Sequence, residues 1–470
     1  MKDVKSILIW FIACIQAAYS TNAQTEQIKD RTYVNIDKQH PLHQISKYLT
    51  GSHFVYAVES DKLYEDERII QWMKDSKVGT IRYPGGTVVM AYHWDALNGI
   101  PFKTDSWDPE YEEKNKPAED FMDVDEYIDF CRKTGTEPML GINILSGKKY
   151  DREEEAMEEA RRLILHCKKN NYGVKFWYIG NEGYAKGFSA LEYAAYIDKY
   201  GAILKSVDPE IMIIGDWKFG PIWKDRFNQC IRIVKHSRHI DVLEIHEKWG
   251  NPWGLASGHS LKEWQNEFPL YDGKLGDYIQ RFHDAMARIG REDVKIGFNE
   301  WGLGSVKNTN KYHNALFAAD YLISLFRNDV YMANYWNLNM GDAQTRILET
   351  GSDRQTLIRL NPIAQIFEMF AHAQGKMLLR VECTHKKVYG FASLDTATGN
   401  TDLYLLNKSA EETNIEITGI DRKSIKEVWH ESFTEPSGKV NKEVKVSTKG
   451  KFQAQTLGPW SLNRITFVSK

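Results

Sequence analysis

The stretch VKFWYIGNEGYAKGFSALEYAAYIDKYGAILKSVDPEIMIIGD, Val174 to Asp216, contains the repeating unit of the whole chain. VKFWYIG is a short apolar and aromatic run, as in a strand buried on both faces. Asn181 and Glu182 follow it directly. From Ser189, SALEYAAYIDKYGAILKSV carries apolar residues at intervals of three and four with charges on the opposite side, which is the pattern of an amphipathic helix. EIMIIGD, from Glu210, returns to strand. A strand, a helix and a second buried strand make the β/α unit of a parallel sheet.

The same rhythm runs outward in both directions. SHFVYAV from Ser52, GTIRYP from Gly79 and EPMLGIN from Glu137 precede the unit, and DVLEIH from Asp241, VKIGFN from Val294 and DVYMANYW from Asp329 follow it. Amphipathic stretches such as REEEAMEEARRLILHCKKN, from Arg152, lie between them. With the two strands of the central unit, this pattern predicts an α/β fold: a (β/α)8 TIM barrel over residues 50–361. A doubly wound open sheet is the rival, but it usually carries a glycine-rich phosphate turn after its first strand, and none follows here. Beyond Asn361 a helical stretch, PIAQIFEMFAHAQG, leads into short alternating runs, among them KVYGFASL, TDLYLLNKS, TNIEITGI and SLNRITFV. These predict a C-terminal antiparallel β-sandwich over 362–470. RTYVNID from Arg31, within the segment 24–49, is expected to add a strand to it.

Composition excludes several classes of function. The 61 basic and 64 acidic residues are well mixed and leave a net charge of −3, so neither nucleic acid nor an anionic membrane is an expected partner. The first residues, MKDVKSILIWFIACIQAAYSTNAQ, set lysines before an apolar core of about a dozen residues and then small and polar residues, as in a secretory signal. Residues 1–23 are read as that signal, the mature protein being secreted or periplasmic and not inserted in a membrane. Cys14 lies inside the apolar core rather than at a lipidation site. The remaining cysteines, Cys131, Cys167, Cys230 and Cys383, are far apart and read as buried thiols rather than a disulfide framework or a metal site. No phosphate loop, GxSxG elbow, HExxH helix or zinc-spaced Cys/His cluster occurs, and no catalytic metal or cofactor is expected.

In such a barrel the chemistry sits where strands end. The fourth strand delivers Asn181 and Glu182, the seventh Asn299 and Glu300, the sixth His246, the second Arg82, the third Asn143 and the eighth Trp336. Two carboxylates about 5 Å apart across a bound sugar are what glycoside cleavage with retention requires. Glu300 is the candidate nucleophile and Glu182 the candidate general acid/base. Asn181 either closes a turn or donates to a sugar hydroxyl. Arg82 is an ion-pair partner within the rim, a group that orients Glu300, or both. His246 is either a satisfied buried histidine or a hydrogen-bonding member of the rim. Among 14 tryptophans, Trp249 and Trp336 are the candidate sugar-lining rings. The expected partner is an oligo- or polysaccharide.

These motifs resemble the retaining glycoside hydrolases of clan A, and most closely the family 51 α-L-arabinofuranosidases. The segments that carry the likeness are IRYPGGTVVMAYHWD at Ile81, NILSGKKYDREEEAMEEA at Asn143, KFWYIGNE at Lys175, VDPEIMIIGD at Val207, FNEWG at Phe298, VYMANYWNLN at Val330 and the tail LGPWSLNRITF. The resemblance implies Glu182 as acid/base, Glu300 as nucleophile, Asn143 and Asn181 as substrate contacts, and α-L-arabinofuranosidase as the best single activity. An endo-β-glycanase or β-glycosidase of the same clan is the alternative, and a non-catalytic carbohydrate-binding protein a more remote one. The chain departs from the family at GSHFVYAVES, where Tyr56 stands near the place of a first-strand glutamate, and at Glu247, Lys248 and Trp249 after His246.

Overall fold

The computed structural model describes residues 31–56, 58–96, 105–111, 121–218, 224–246, 270–302, 310–340, 343, 345–434, 439–445 and 454–470. The signal read at 1–23, Trp249 and the rest of the segment after His246 lie outside these. The chain forms two compact units. One is a barrel from His43 to Leu378; the other takes β1 (Thr32–Asp37) together with Leu379–Thr434 and Asn441–Lys470.

Eight strands close the barrel in chain order: β2 (Tyr48–His53), β3 (Thr80–Tyr83), β4 (Glu137–Ile142), β5 (Phe176–Ile179), β6 (Met212–Lys218), β7 (Ile240–His246), β8 (Lys295–Trp301) and β9 (Met332–Tyr335). All neighbours pair in parallel, and β2 meets β9 to complete the ring. The helix Ala190–Val207 starts where Ser189 accepts from the Glu192 N–H while Glu192 reaches back to the Ser189 N–H, so two otherwise unbonded donors are satisfied at once. The helix Lys311–Arg327 is buried on every side from Tyr312 to Phe326 apart from His313. An apolar helix of this kind forms only inside a core.

The first strand differs from its sequence reading: SHFVYAV predicts Ser52–Val58, whereas the strand is Tyr48–His53. At Gly51 an added Cβ would lie 2.2 Å from Asn334 Oδ1, so the run follows β9 at a distance that only glycine allows, which apolarity alone does not reveal. Phe54 and Tyr56 are apolar for another reason. Phe54 packs on Tyr64, Tyr127 and Phe130, and Tyr56 on Tyr83, Tyr92 and Phe121, in a buried loop that follows the strand. The boundary at 361 also moves. Helix Ile363–Ala371 belongs to the barrel unit, because Trp72 donates to the Ala364 carbonyl and Phe370 packs on Phe326.

The second unit strings nine strands in one hydrogen-bonded order, in which β1 pairs in parallel with one neighbour (Thr413–Thr418) and antiparallel with the other (Met377–Cys383). Val34, Ile36, Leu403, Leu405, Ile417, Ile465 and Phe467 meet in a single buried core, so the two halves of the sheet face each other as a sandwich. Replacing Leu405 with alanine leaves a cavity in that core and is expected to cost about 2–5 kcal/mol. A lowered urea midpoint for the second unit's unfolding transition is the measurement that checks this.

Candidate active site

Arg82 is the centre of the barrel mouth and has no exposed surface. It leaves β3 pointing inward, where its Nη1 donates to Asn181 Oδ1 at 2.9 Å and its Nη2 to Asp216 Oδ2 at 3.2 Å. Its guanidinium lies 3.8 Å from the centre of the Tyr178 ring. The Tyr178 hydroxyl in turn accepts from the Gly85 N–H at 3.1 Å. A buried cation is tolerated only with such pairing. Burial opposes the charge on Arg82, but Tyr178, Glu244, Asp216 and Glu300 together hold its proton more tightly than usual.

Glu182 and Glu300 both adopt left-handed backbone, with φ of 50° and 51°. That region costs a non-glycine residue of the order of 1–2 kcal/mol. A side chain secures each one: Asp216 accepts from the Glu182 N–H at 3.0 Å, and Asn299 Oδ1 accepts from the Glu300 N–H at 2.9 Å. His246, at the end of β7, lies between the two carboxylates. Its Nε2 is 3.0 Å from Asp216 Oδ2, and its Nδ1 is 3.3 Å from Glu182 Oε1 and 4.0 Å from Glu300 Oε2. Arg82 Nη1 is 4.0 Å from the other oxygen of Glu300. One carboxylate oxygen each of Glu182 and Glu300 and a ring nitrogen of His246 lie within 4.8 Å of one another.

Burial disfavours the imidazolium of His246, yet Asp216, Glu300 and Glu182 outweigh it and push its pKa up to about 10. Both ring nitrogens of His246 face carboxylate oxygens, so the trio is a charge-paired network. Below it, Glu244 on β7 is fully buried, and burial raises its pKa to about 7 against the pull of Arg82 and His246. Asn334 Nδ2 donates to its Oε1 at 3.1 Å.

The remaining sequence candidates separate. Trp336 lies at the site: a Cβ added at Gly86 would fall 2.9 Å from its ring and 3.9 Å from Glu300 Oε1, so the indole rests on bare backbone beside that carboxylate. Asn181 uses its carbonyl for Arg82, leaving its amide to donate. Asn143 is not in the carboxylate cluster. Its Oδ1 accepts from the Leu145 and Ser146 N–H groups and its Nδ2 donates to Ser146 Oγ and the Tyr92 carbonyl, so it shapes the turn after β4. Trp217 and Trp301, although each closes or nearly closes a barrel strand, are core residues, Trp301 stacking on Tyr321 at 4.9 Å. Asp216, Tyr178 and Tyr184 were not picked out by sequence. For Asp216 the signal was present, an acid closing the apolar run EIMIIGD just as Arg82 interrupts GTIRYP.

Ser146 joins the Asn143 turn to a second buried network. Its hydroxyl donates to Asp105, whose other oxygen faces His93 Nε2 at 3.1 Å, while His93 Nδ1 meets Glu159 at 2.7 Å. Burial opposes charge on His93 too, but Asp105 and Glu159 push its pKa up to about 9. Both histidines therefore hold a proton in the folded state that the unfolded chain releases near 6.5. Their stabilisation is complete below pH 6.5 and disappears as pH rises through 9 and 10. The urea midpoint is expected to fall between pH 7 and 10, with a shallower fall in His246→Gln and in His93→Gln. An unchanged slope in both variants would sink this account.

Comparison with known proteins bears on the fold and the family. Residues 72–237 match the family model described as the alpha-L-arabinofuranosidase 1 domain. An intracellular exo-alpha-(1->5)-L-arabinofuranosidase of Halalkalibacterium halodurans is 22% identical over 307 residues, covering 57% of this chain and 58% of that protein. Alpha-L-arabinofuranosidase C of Emericella nidulans is 29% identical over 174 residues, covering 33% of this chain and 32% of its own length. The chain thus spans less than two thirds of these relatives. The fold is shared with the α-L-arabinofuranosidase of Thermotoga maritima solved as an arabinose complex, at a TM-score of 0.70 and 20% identity over 94% of this chain and 100% of that one. Sequence motifs, barrel and comparisons agree: the chain is related to the α-L-arabinofuranosidases of glycoside hydrolase family 51.

Proposed function

We propose that the chain is a retaining glycoside hydrolase, with α-L-arabinofuranosidase its best single activity. The observation that carries this reading is the approach of a Glu182 and a Glu300 oxygen to within 4.8 Å. Retaining enzymes hold their two carboxyl groups about 5–5.5 Å apart, while inverting enzymes leave room for a water at about 6.5–9.5 Å.

In the first step a Glu300 oxygen attacks the anomeric carbon as the bond to the leaving oxygen breaks, and that oxygen takes the proton of Glu182. In the second, Glu182 removes a proton from water, the water oxygen attacks the same carbon, and the bond to Glu300 breaks. Arg82 and His246 each lie 4.0 Å from a different Glu300 oxygen, so the carboxylate is flanked on both sides. Asn181 is suited to donate to a sugar hydroxyl beside the reacting carbon, and the Trp336 ring to lie against a sugar face.

The β-glycosidase or β-glycanase reading is favoured by one observation. Glu59, the acid nearest to the family's first-strand glutamate, is 1% exposed and bonded to the Val55 N–H, Tyr64 and Asn339, and Tyr56 is buried among aromatic rings. The test therefore uses aryl α-L-arabinofuranosides alongside aryl β-pyranosides and plant and algal polysaccharides. Glu300→Ala is expected to lower kcat by about four orders of magnitude, and Glu182→Ala by about two to four for unactivated substrates. NMR of the first-formed product should show the substrate's anomeric configuration. Inversion would overturn the mechanism. Glycan binding without cleavage by the wild type would favour the carbohydrate-binding reading.

The lysine-led apolar stretch at residues 1–23 supports export to the periplasm or medium, with the substrate a plant or algal polysaccharide met outside the cytoplasm. On expression with the full N-terminus, intact mass is expected to begin at Gln24. A retained Met1 in the extracytoplasmic fraction would remove this part of the proposal.

A further inference from the structure

Two residues beyond Glu182, Tyr184 points back at it. The chain turns there through a short 3-10 segment, Gly183–Lys186, that Glu182 opens in its left-handed conformation. The turn sits close on the barrel wall, since a Cβ on Gly183 would lie 3.2 Å from the Tyr193 ring. The Tyr184 hydroxyl donates to Glu182 Oε1, the same oxygen that faces His246 Nδ1 at 3.3 Å. The ring has little freedom. Trp217 meets it edge-on at 5.4 Å, Arg226 lies 5.0 Å from its centre and Lys218 5.9 Å. Trp217 and Arg226 are themselves joined through Gln229 Oε1, which accepts from both at 2.9 and 3.2 Å.

We propose that Tyr184 is a positioning residue for the general acid/base: by donating to Glu182 Oε1 it leaves Oε2 as the oxygen that carries and transfers the proton. This rests on the reading of Glu182 as acid/base. Two donors converge on Oε1, so a proton on that oxygen would collide with them, and the neutral carboxyl carries it on Oε2. Tyr184 cannot itself serve as the acid. Burial and the adjoining Glu182 hold its phenol proton far more tightly than usual, so it remains a donor throughout the working range. The same bond can be made to the carboxylate form of Glu182, which is the form the second step needs as a base. Opposing it is Glu300 on β8; acting with it is His246 on β7, while Asp216 on β6 accepts the Glu182 N–H, and Lys218 and Arg226 face the phenol from β6 and the following helix.

The test is a leaving-group series of aryl α-L-arabinofuranosides, or of the glycone identified above, from dinitrophenyl to unsubstituted phenyl. Wild type, Tyr184→Phe and Glu182→Ala are compared. In Tyr184→Phe the loss of a hydrogen bond to a charged group is expected to lower kcat/KM about 10- to 100-fold for phenyl glycosides and hardly at all for dinitrophenyl glycosides, which need no acid. Tyr184→Leu, which also removes the ring, should show the same selectivity with a larger loss, and unchanged near-ultraviolet circular dichroism checks the folding of both. A loss uniform across the series, or none, would overturn the positioning role. If Glu182→Ala shows no preference for good leaving groups, the acid/base assignment fails first and the proposal falls with it. If Glu182→Ala shows that preference and Tyr184→Phe does not, only the role of Tyr184 is lost.

Discussion

The contact between Arg82 and Asp216 is the constraint on which the mouth of the barrel depends. Both residues are buried, and a charge buried alone would cost several kcal/mol. Each is therefore forced to find polar company, and the company it finds is the site. Arg82 draws in Asn181, the Tyr178 ring and one oxygen of Glu300. Asp216 takes the Glu182 N–H and His246 Nε2. One ion pair thereby ties strands β3, β5, β6, β7 and β8 at their C-terminal ends.

That network also makes an unfavourable backbone tolerable. Glu182, just past the end of β5, and Glu300, at the register shift near the end of β8, both sit in the left-handed region, and an oxygen of each comes within 4.8 Å of the other. Each is preceded by an asparagine, and the two asparagines have different tasks. Asn181 accepts from Arg82, whereas Asn299 accepts from the Glu300 N–H and sets its amide 3.0 Å from His246 Nε2. The charge arrangement is correspondingly uneven. Glu300 faces two cations, while Glu182 has His246 and the Tyr184 hydroxyl on a single oxygen. Environments that treat two carboxyls differently are how one site assigns an acid and a nucleophile.

Much of this was legible along the chain. Buried strands announce themselves as apolar runs, and a charge that interrupts one, as Arg82 does, or closes one, as Glu182, His246 and Glu300 do, has to be explained by pairing or function. The first strand was the exception. Tyr48–His53 includes Gly51, where Asn334, Thr80 and the Ala333 carbonyl leave no room for a side chain, while the more apolar Phe54 and Tyr56 are buried in the loop that follows. Apolarity reports burial and not hydrogen bonding, so a buried loop and a buried strand read alike. The same limit applied to tryptophan: Trp301 and Trp336 lie on neighbouring strand ends, yet one stacks within the core and the other rests on Gly86 beside Glu300.

The sequence by itself determined the alternation of strand and helix, the closing run of sandwich strands and the strand ends that carry Glu182 and Glu300, because periodicity and isolated charges are local properties. Tertiary structure alone decided that Asp216 and Tyr184 join the site and that Asn143 is taken up by a turn. It also decided that helix Ile363–Ala371 belongs to the barrel. Those outcomes depend on which strand ends meet across a closed ring. Distances between residues over a hundred positions apart are set by closure of the barrel and by the need to pair every buried charge, and neither is written in any one segment.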